Sequence, residues 1–409
     1  MTDQEILREL ASAYMEAANE PINAERRERA YATNGLQAVR PLVWIHELPW
    51  HELNIDDALT LRCEGALARE IEQFLRRSLL QWRYFQADMI LEPYYPVSMC
   101  IHSTGIGFQV IEEVLVGDDK NNIISHSYKD QLDSLEKLEI LHNPVVTRDY
   151  DEEKKRVSDA QALLGDAMPV KLCPQNMYYY APWDRVCRMR GMTPLLMDLA
   201  AEPELMHATI QKFSSVLNAD IDALNAVNAF GVSASSLHCT PPYSRELEAV
   251  EAKEGPSVHS AWFRALAQPF GEVSPAMHDE YDIQYLLPIA RKFGLCYYGC
   301  CEPLSDRIDI LRRIPNLRKV GVTPWSSVEV SAEKLGKDFV FSRKPNPAMV
   351  ATTLDEDAVR KDIAHVMAAC LRNSCPCEFV LKDISTVGYK PQNIIRWAQV
   401  AEETIDRYY

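Results

Sequence analysis

Apolar positions in the first eighty residues recur at helical spacing. From Gln4 to Asn19 they fall three and four residues apart, which predicts an amphipathic helix that Pro21 ends. The stretches 24–30 and 56–80 are also predicted to be helical. Between them, 40–45 is a short extended segment, because the residue before a proline disfavours helix. We therefore predict an N-terminal helical extension with one entry segment over residues 1–80.

From about residue 81 the pattern changes to short apolar runs that alternate with helical stretches. The clearest strands are predicted at 231–238, 272–277, 295–300, 317–322, 338–342 and 378–382. Helices are predicted at 282–293, 306–313, 328–335 and 356–371, with a last one from Pro391. Such alternation is typical of parallel βαβ units and places the chain in the α/β class. Their number favours a single (β/α)8 TIM barrel over residues 81–409 rather than two domains.

Charge and composition narrow the range of partners. The formal net charge of -16 disfavours binding to a phosphate backbone, so no nucleic-acid partner is expected. No apolar run approaches the ~20 residues that span a bilayer, and the first residues lack the basic and apolar regions of a secretory signal. Eleven cysteines are an odd number, which disfavours a disulfide framework. We expect a cytoplasmic enzyme without a membrane partner.

Two cysteines lie at the end of a predicted strand, where a barrel places its functional groups. In this fold, functional groups gather after the carboxyl ends of the strands. Cys300 and Cys301 close the predicted strand 295–300, whereas Cys375 precedes a strand and belongs to the opposite, structural rim. Strand alternation predicts that Tyr298 and Cys300 share one face. The alternative is that both thiols merely pack in the barrel.

Further polar groups follow the preceding predicted strand. His278 and Glu280 come directly after 272–277 and share a face if the chain stays extended there. Imidazole, carboxylate and thiolate all bind zinc, and three protein ligands leave a position open for substrate. His238, after strand 231–238, is an alternative metal ligand. A hydrogen-bonded histidine beside a helix-capping acid is the other interpretation.

Other strand ends carry groups that could contact a substrate. They include Glu92, Tyr179 in a run of three tyrosines, the basic pair Arg343 and Lys344, and Asp383. An arginine at such a place can hold an anion. Tyrosine clusters also serve as packing residues, and a basic turn can simply be solvated.

Three short segments of the chain resemble the uroporphyrinogen decarboxylase superfamily, in particular its corrinoid-dependent methyltransferase branch, which includes O-demethylase-like enzymes. Arg40 to Trp44 resembles the entry segment of that family. Tyr297 to Leu304 stands where metal-binding members carry a His-x-Cys element, and Ser342 to Pro347 resembles a Gly-Asn-x-x-Pro loop. The resemblance covers roughly residues 35–409 and is firmest after Trp262. It implies a TIM barrel in which Cys300 binds a metal.

The chain also departs from that family at defined places. Ile45 to Trp50 replaces the Arg-Gln-Ala-Gly-Arg stretch with which the decarboxylases hold substrate carboxylates. Tyr298 replaces the metal-binding histidine, and Lys382 to Thr386 replaces a later cysteine. Other ligands must then complete the site, and strand order makes His278, Glu280 and Cys301 the nearest.

The resemblance implies a zinc-dependent methyltransferase that moves a methyl group from a small methylated donor, such as an aryl methyl ether, to the cobalt of a corrinoid (cobalamin) on a separate protein. Zinc would polarise the donor heteroatom. We predict Glu280, Asp383 and Lys344 as catalytic residues, and Trp44, Glu92, Tyr179, Tyr298 and Arg343 as substrate-binding residues. A metal-free lyase is the alternative, in which Arg343, Lys344 and Asp383 orient a small acidic substrate. A non-catalytic binding barrel is the third hypothesis.

Overall fold

The structure is a computed structural model of the chain, and it describes residues 1–116 and 124–409. Its strands are β1 Leu42–Ile45, β2 Tyr95–Ser98, β3 Ile101–Ser103, β4 Glu112–Val116, β5 Ile124–Tyr128, β6 Val146–Arg148, β7 Val170–Cys173, β8 Met177–Tyr180, β9 Trp262–Ala265, β10 Leu295–Tyr298, β11 Leu317–Val322, β12 Val340–Arg343 and β13 Cys377–Leu381. Its α-helices are α1 Asp3–Ala18, α2 Pro21–Asn34, α3 Ala66–Phe85, α4 Tyr150–Leu164, α5 Pro182–Arg190, α6 Met192–Ala201, α7 Pro203–Ala226, α8 Arg245–Glu254, α9 Pro275–His278, α10 Gln284–Ala290, α11 Ile308–Leu311, α12 Val328–Leu335, α13 Ala348–Ala351, α14 Glu356–Arg372 and α15 Gln392–Ile405. A π-helical turn, Asp279–Ile283, joins α9 to α10.

A seven-stranded sheet forms the centre of the molecule. Its strands follow the order β8, β9, β10, β11, β12, β13 and β1, and every neighbouring pair is parallel. The carboxyl ends of all seven strands therefore meet at one edge. This confirms an α/β fold with a parallel, barrel-like sheet. Within the described residues no strand pairing joins β8 to β1, so the eight-stranded closed barrel stays a prediction.

The two faces of the sheet differ in chemistry. The outer face, which includes Phe263, Tyr298, Phe341 and Phe379, packs into the large apolar core with the helices. The opposite face, here called the inner face, carries charged side chains that include the buried Lys319. Because side chains alternate along a strand, each central strand contributes to both faces. Buried charged side chains such as Lys319 thus lie on the inner face of the sheet and at its carboxyl edge.

The sequence predicted several central elements and placed two strands wrongly. Strand 317–322 and helix 328–335 have the predicted bounds. The prediction of a strand at 272–277 is wrong, because Ser274 caps a helix that begins with Pro275. The prediction at 231–238 is also wrong, since that stretch takes part in only one isolated bridge, between Leu237 and Thr240. The strand that takes part in the sheet in this region is β9.

Helices cover most of the N-terminal extension. α1 begins with a capping box between Thr2 and Glu5 and packs against α3. α2 is longer than the predicted 24–30, and α3 continues past residue 80. The division of the chain at residue 80 stays a prediction. In the described part of the chain, no helix is long and apolar enough to cross a bilayer.

Candidate active site at the carboxyl edge of the sheet

A cavity of about 170 Å³ opens at the carboxyl edge of the central sheet. Its lining includes Cys300, Cys301, Trp325, Lys344, Lys382 and Asp383. Larger cavities lie elsewhere, and one of about 920 Å³ is lined by α4 and its neighbours, away from the sheet edge. Parallel α/β folds bind their ligands at the carboxyl ends of the strands. The smaller cavity is therefore the candidate active site.

Gly299 directs Cys300 into this cavity. Its φ of 95° lies in the left-handed region, and an added Cβ would collide with the side chain of Leu304. This turn ends β10 and interrupts the alternation of its side chains. The prediction that Tyr298 and Cys300 share a face is wrong for this reason: Tyr298 lies in the outer core, and Cys300 packs with Tyr179 on the inner face.

Polar groups surround the Cys300 sulfur. Lys382 Nζ lies 3.2 Å from Cys300 Sγ, Cys301 Sγ lies 3.7 Å away and His238 Nε2 lies 3.9 Å away. The hydrogen bond from Cys301 lowers the pKa of Cys300 to about 3, with further contributions from His238, Arg264 and Lys382 that outweigh its burial. The same bond and burial raise the pKa of Cys301. The two thiols therefore hold one thiolate, on Cys300.

Lys382 is the cation nearest to this thiolate. Its Nζ lies 2.6 Å from Asp383 Oδ2 and 3.6 Å from Glu47 Oε2. Burial lowers the pKa of Lys382, but Cys300 and the other nearby anions raise it well above its usual range. Lys382 is therefore a permanent ammonium ion, and Asp383 Oδ2 also lies 3.3 Å from Cys301 Sγ.

Glu302 fixes the loop that carries the two cysteines. Its carboxylate accepts hydrogen bonds from the backbone of Cys300 at 2.9 Å and of Ala267 at 3.3 Å. The side chain is buried, and this burial raises its pKa. By joining the loop after β10 to the loop after β9, Glu302 holds the sulfur of Cys300 in place.

Two predicted metal ligands lie in other environments. His278 is fully buried, and its Nε2 lies 2.6 Å from Tyr298 Oη, which donates to Asp282. Glu280 lies on the surface, where its carboxylate contacts His207 at 3.2 Å. Both belong to the helical segment 275–283 rather than to a strand end, which explains why neither lines the Cys300 cavity.

The cavity does bring together Cys300, Cys301 and, beside them, His238. Two thiols and an imidazole are a donor set suited to zinc. However, the Lys382 ammonium ion is in contact with Cys300, where a metal would have to bind. In residues 1–116 and 124–409, no group of three or more His, Cys, Asp or Glu side chains has an arrangement that could hold a metal ion. The side chains as arranged do not fit zinc.

The predicted substrate-binding residues are dispersed. Tyr179 lies near the site, with its ring centre 5.3 Å from that of His238. Arg343 points to the outer side and pairs with Asp362 at 2.7 Å, because it follows Ser342 on the alternating strand β12. Lys344, the next inward residue, lines the cavity.

Glu92 and Trp44 contact residues outside the Cys300 cavity. Glu92 pairs with Arg27 at 2.9 Å and accepts a hydrogen bond from Tyr243 at 2.7 Å. Trp44 packs in a small apolar cluster that includes Leu42 and Tyr243. Neither side chain is part of the lining of the Cys300 cavity.

Sequence reasoning did not single out Arg264 or Glu47. Arg264 was missed because β9 was not predicted as a strand, so no periodicity placed it on the inner face. Glu47 stands in the segment that departs from the decarboxylase pattern, and this departure was the available signal. The side chain of Glu47 reaches both Lys382 and His238, the latter at 3.6 Å.

No protein-family model matches the chain, and no curated protein matches it. Among solved structures, the chain is similar to a methyltransferase from Methanosarcina mazei, with a TM-score of 0.51 and 12% sequence identity. The match covers 94% of this chain and 99% of that chain. At this identity the similarity concerns the fold over nearly the whole of both chains. The assignment to the uroporphyrinogen decarboxylase superfamily stays a prediction.

Proposed function

We propose that this chain is a methyltransferase that acts on a small methylated donor in the cavity beside Cys300. The observation that carries the proposal is the ion pair between the Cys300 thiolate and the Lys382 ammonium at the carboxyl edge of the sheet. Support comes from the shared fold with a methyltransferase and from the segments that resemble corrinoid-dependent methyltransferases. The acceptor in this proposal is a corrinoid on a separate protein that docks at the sheet edge.

Lys382 is the residue that assists the loss of the methyl group. In this scheme the methyl carbon leaves its heteroatom, the bonding electron pair stays on that heteroatom, and the electron pair of a cobalt(I) corrinoid forms the new bond. Negative charge develops on the donor heteroatom as this happens. A fixed, buried ammonium ion stabilises such charge. Because its pKa is raised, Lys382 acts as a charge and hydrogen-bond donor rather than as a proton donor.

Cys300 holds Lys382 in position. The nucleophilicity of a thiolate falls as its pKa falls, so a thiolate with a pKa of about 3 is a weak methyl acceptor. Its charge keeps Lys382 protonated and fixes the direction of the ammonium group. Cys300 is thus a positioning residue in this proposal.

A zinc ion is the remaining expectation from the resemblance, and Cys300, Cys301 and His238 are the side chains that could provide ligands. Because Lys382 contacts the same sulfur, we assign no catalytic step to zinc. Elemental analysis of protein purified without added metal tests this directly. Less than about a tenth of an equivalent of zinc agrees with the Lys382 scheme, whereas one equivalent that is lost in Cys300→Ser contradicts it.

The test of the function is a methyl-transfer assay with cobalt(I) cobalamin as acceptor and a panel of methyl ethers, methylamines and methyl thioethers as donors. We expect methylcobalamin to form with wild type and with Cys187→Ser, a control thiol in α5 whose pKa burial raises. Lys382→Met should lower kcat by about a hundredfold, as removal of one charge-stabilising donor does. If no donor of the panel reacts with wild type, or if Lys382→Met reacts as wild type does, the proposal is wrong.

The alternative is a lyase that releases carbon dioxide from a small acid. It is favoured by the presence of Lys344 and Lys382 in one cavity, although Arg343, one of its three expected residues, points away from that cavity. Release of carbon dioxide without any methylated product would establish this alternative.

A further inference from the structure

Four cationic side chains lie buried on the inner face of the sheet: Arg264, Lys319, Lys344 and Lys382. Two of them have carboxylate partners. Lys319 Nζ lies 2.8 Å from Glu378 Oε2, and Lys382 pairs with Asp383 as described above. Within residues 1–116 and 124–409, Arg264 and Lys344 have no carboxylate at ion-pair distance. Against the effect of burial, the Cys300 thiolate raises the pKa of Arg264, and Glu378 raises that of Lys344, but neither cation has an anion among the described residues in direct contact. Buried cations without a direct partner are costly, so these two require an explanation.

Arg264 leaves much of its hydrogen-bonding capacity unused. It is fully buried, and one Nη1–H donates to the Ala265 carbonyl at 3.1 Å. Its Nε and Nη2 atoms have no acceptor in the described structure. The guanidinium carbon lies 3.9 Å from the ring centre of Tyr297, whose buried hydroxyl also has no partner. Buried arginine N–H groups without acceptors are rare in folded proteins.

Lys344 lies at the same tyrosine and faces the cavity. Its Nζ is 5.3 Å from the Tyr297 ring centre and donates to Ser342 Oγ at 2.9 Å. Lys344 also belongs to the lining that contains Cys300. Both cations without carboxylate partners thus lie at one tyrosine ring, Lys344 in the lining of the cavity and Arg264 fully buried beside it.

We propose that Arg264 and Lys344 bind a carboxylate group of the substrate, which makes the substrate of this enzyme a small organic monoanion. This inference rests on the proposed function, because it identifies the class of molecule that reacts beside Lys382. The free Nε and Nη2 donors of Arg264 have the fork geometry that pairs with a planar carboxylate. Lys344 supplies a second charge from the cavity side.

The charges of the site favour one negative charge on the ligand over two. The Asp383 carboxylate lines the same cavity and repels further negative charge, whereas a single carboxylate is attracted by both Arg264 and Lys344. Inorganic phosphate, which is partly doubly charged at neutral pH, is therefore expected to bind less well than a carboxylate. Neutral amides of the same shape lack the charge that pairs with the two cations.

The test measures binding of simple probes by calorimetry and by thermal unfolding. The probes are acetate, benzoate, benzamide and inorganic phosphate, at constant ionic strength maintained with chloride. We expect acetate and benzoate to raise the Tm of wild type above the chloride baseline, and benzamide to leave it unchanged. Lys344→Met and Arg264→Met should each weaken benzoate binding by about tenfold or more. Lys253→Met, a mostly exposed lysine of α8, is the control and should bind as wild type does.

Stability of the free protein gives a second readout that does not depend on the choice of probe. Lys319→Met leaves Glu378 without its ion-pair partner, whereas Lys344→Met removes a cation that has no carboxylate partner. We expect Lys319→Met to lower the Tm of the ligand-free protein more than Lys344→Met does. A Lys344→Met protein that is destabilised as strongly as Lys319→Met would assign Lys344 a structural role and overturn the inference.

Three other results would also overturn the inference. The first is that no carboxylate raises the Tm of wild type above its value in chloride, and the second is that phosphate binds and carboxylates do not. The third is that Lys344→Met and Lys253→Met bind benzoate equally well.

The Cys300→Ser protein separates the inference from the proposed function. It should bind benzoate as wild type does, because the substitution leaves Arg264 and Lys344 in place. Carboxylate binding without methyl transfer would remove the proposed function and leave the anion site in place.

Discussion

Replacing Cys300 by serine should change how the stability of this protein depends on pH. In the folded protein, its neighbours lower the pKa of Cys300 from its ordinary value of 9.0 to about 3. Between these values the folded protein carries a thiolate and the unfolded chain carries a thiol, so the unfolded state binds one more proton. Stability from this group is therefore fully present above the unfolded pKa and is lost as the pH falls through the folded pKa.

The magnitude follows from the number of protons. One proton taken up on unfolding makes the unfolding free energy rise by about 1.4 kcal/mol per pH unit. Between pH 5 and pH 8 this amounts to about 4 kcal/mol in wild type. Cys301 adds nothing in this range, because its raised pKa keeps it protonated in both states. Asp383 and Glu47 remain beside Lys382 in the variant, so Lys382 also stays protonated.

The assay is urea unfolding followed by circular dichroism at several pH values between 5 and 8, for wild type, Cys300→Ser and Cys187→Ser. Besides burial, Cys300 also raises the pKa of Asp184 and of Glu302, so the difference between slopes reports Cys300 together with its effect on these two carboxyl groups. Because that effect opposes the contribution of the thiolate, we expect the Cys300→Ser slope to be smaller than that of wild type by at most about 1.4 kcal/mol per pH unit. The Cys187→Ser slope should equal that of wild type. Equal slopes in all three proteins would show that Cys300 is a thiol and would refute the electrostatic account of the site.

Three further changes test individual parts of the site. Lys382→Met removes the nearest cation and should raise the pKa of Cys300, measured as a shift of the iodoacetamide alkylation profile to higher pH. Tyr298→Phe leaves the buried Asp282 without its hydrogen bond and should lower the unfolding free energy by about 1–3 kcal/mol, with methyl transfer retained. Gly299→Ala places a side chain in the left-handed region and against a packed leucine. We expect it to lower both stability and the thiolate content of Cys300, measured by thermal unfolding and by thiolate absorbance.

The sequence predicted the order of the C-terminal elements because their boundaries have local causes. Helix α12, for example, is capped by Ser327 and ended by Gly336, and both residues are visible in the sequence. Segment 272–277 was misjudged because its apolar content suits a helix as well as a strand. Strand β9 escaped prediction because it is only four residues long and carries an arginine in its middle. A pattern of apolar residues cannot identify a strand that carries a charged side chain on its inner face.

The position of Cys300 could be predicted, but its partners could not. The position follows from a short strand that ends in a glycine, which is a local property. Lys382 is 82 residues away from Cys300, and the hydrogen bond from the Asp383 backbone N–H to the Glu47 carboxylate joins residues 336 apart. These pairs depend on the parallel neighbours β10, β11, β12, β13 and β1 meeting at one edge. His278 and Glu280 were assigned to the site through a predicted strand at 272–277, and because that segment is helical instead, neither residue lines the Cys300 cavity.

Backbone conformation gives a separate reason to regard this edge as functional. Glu47, His238 and Asp383 all have φ between 53° and 60°, although none is a glycine. Such conformations cost about 1–3 kcal/mol each and persist only where the surrounding structure imposes them. The three residues come from distant parts of the chain, yet their side chains meet at Lys382 and Cys300. Seven other non-glycine residues of the described chain, among them Leu36 and Tyr389, also have φ in this region, so the strain is not confined to this edge. What is particular to the edge is that three such residues place their side chains around one thiolate and one ammonium ion.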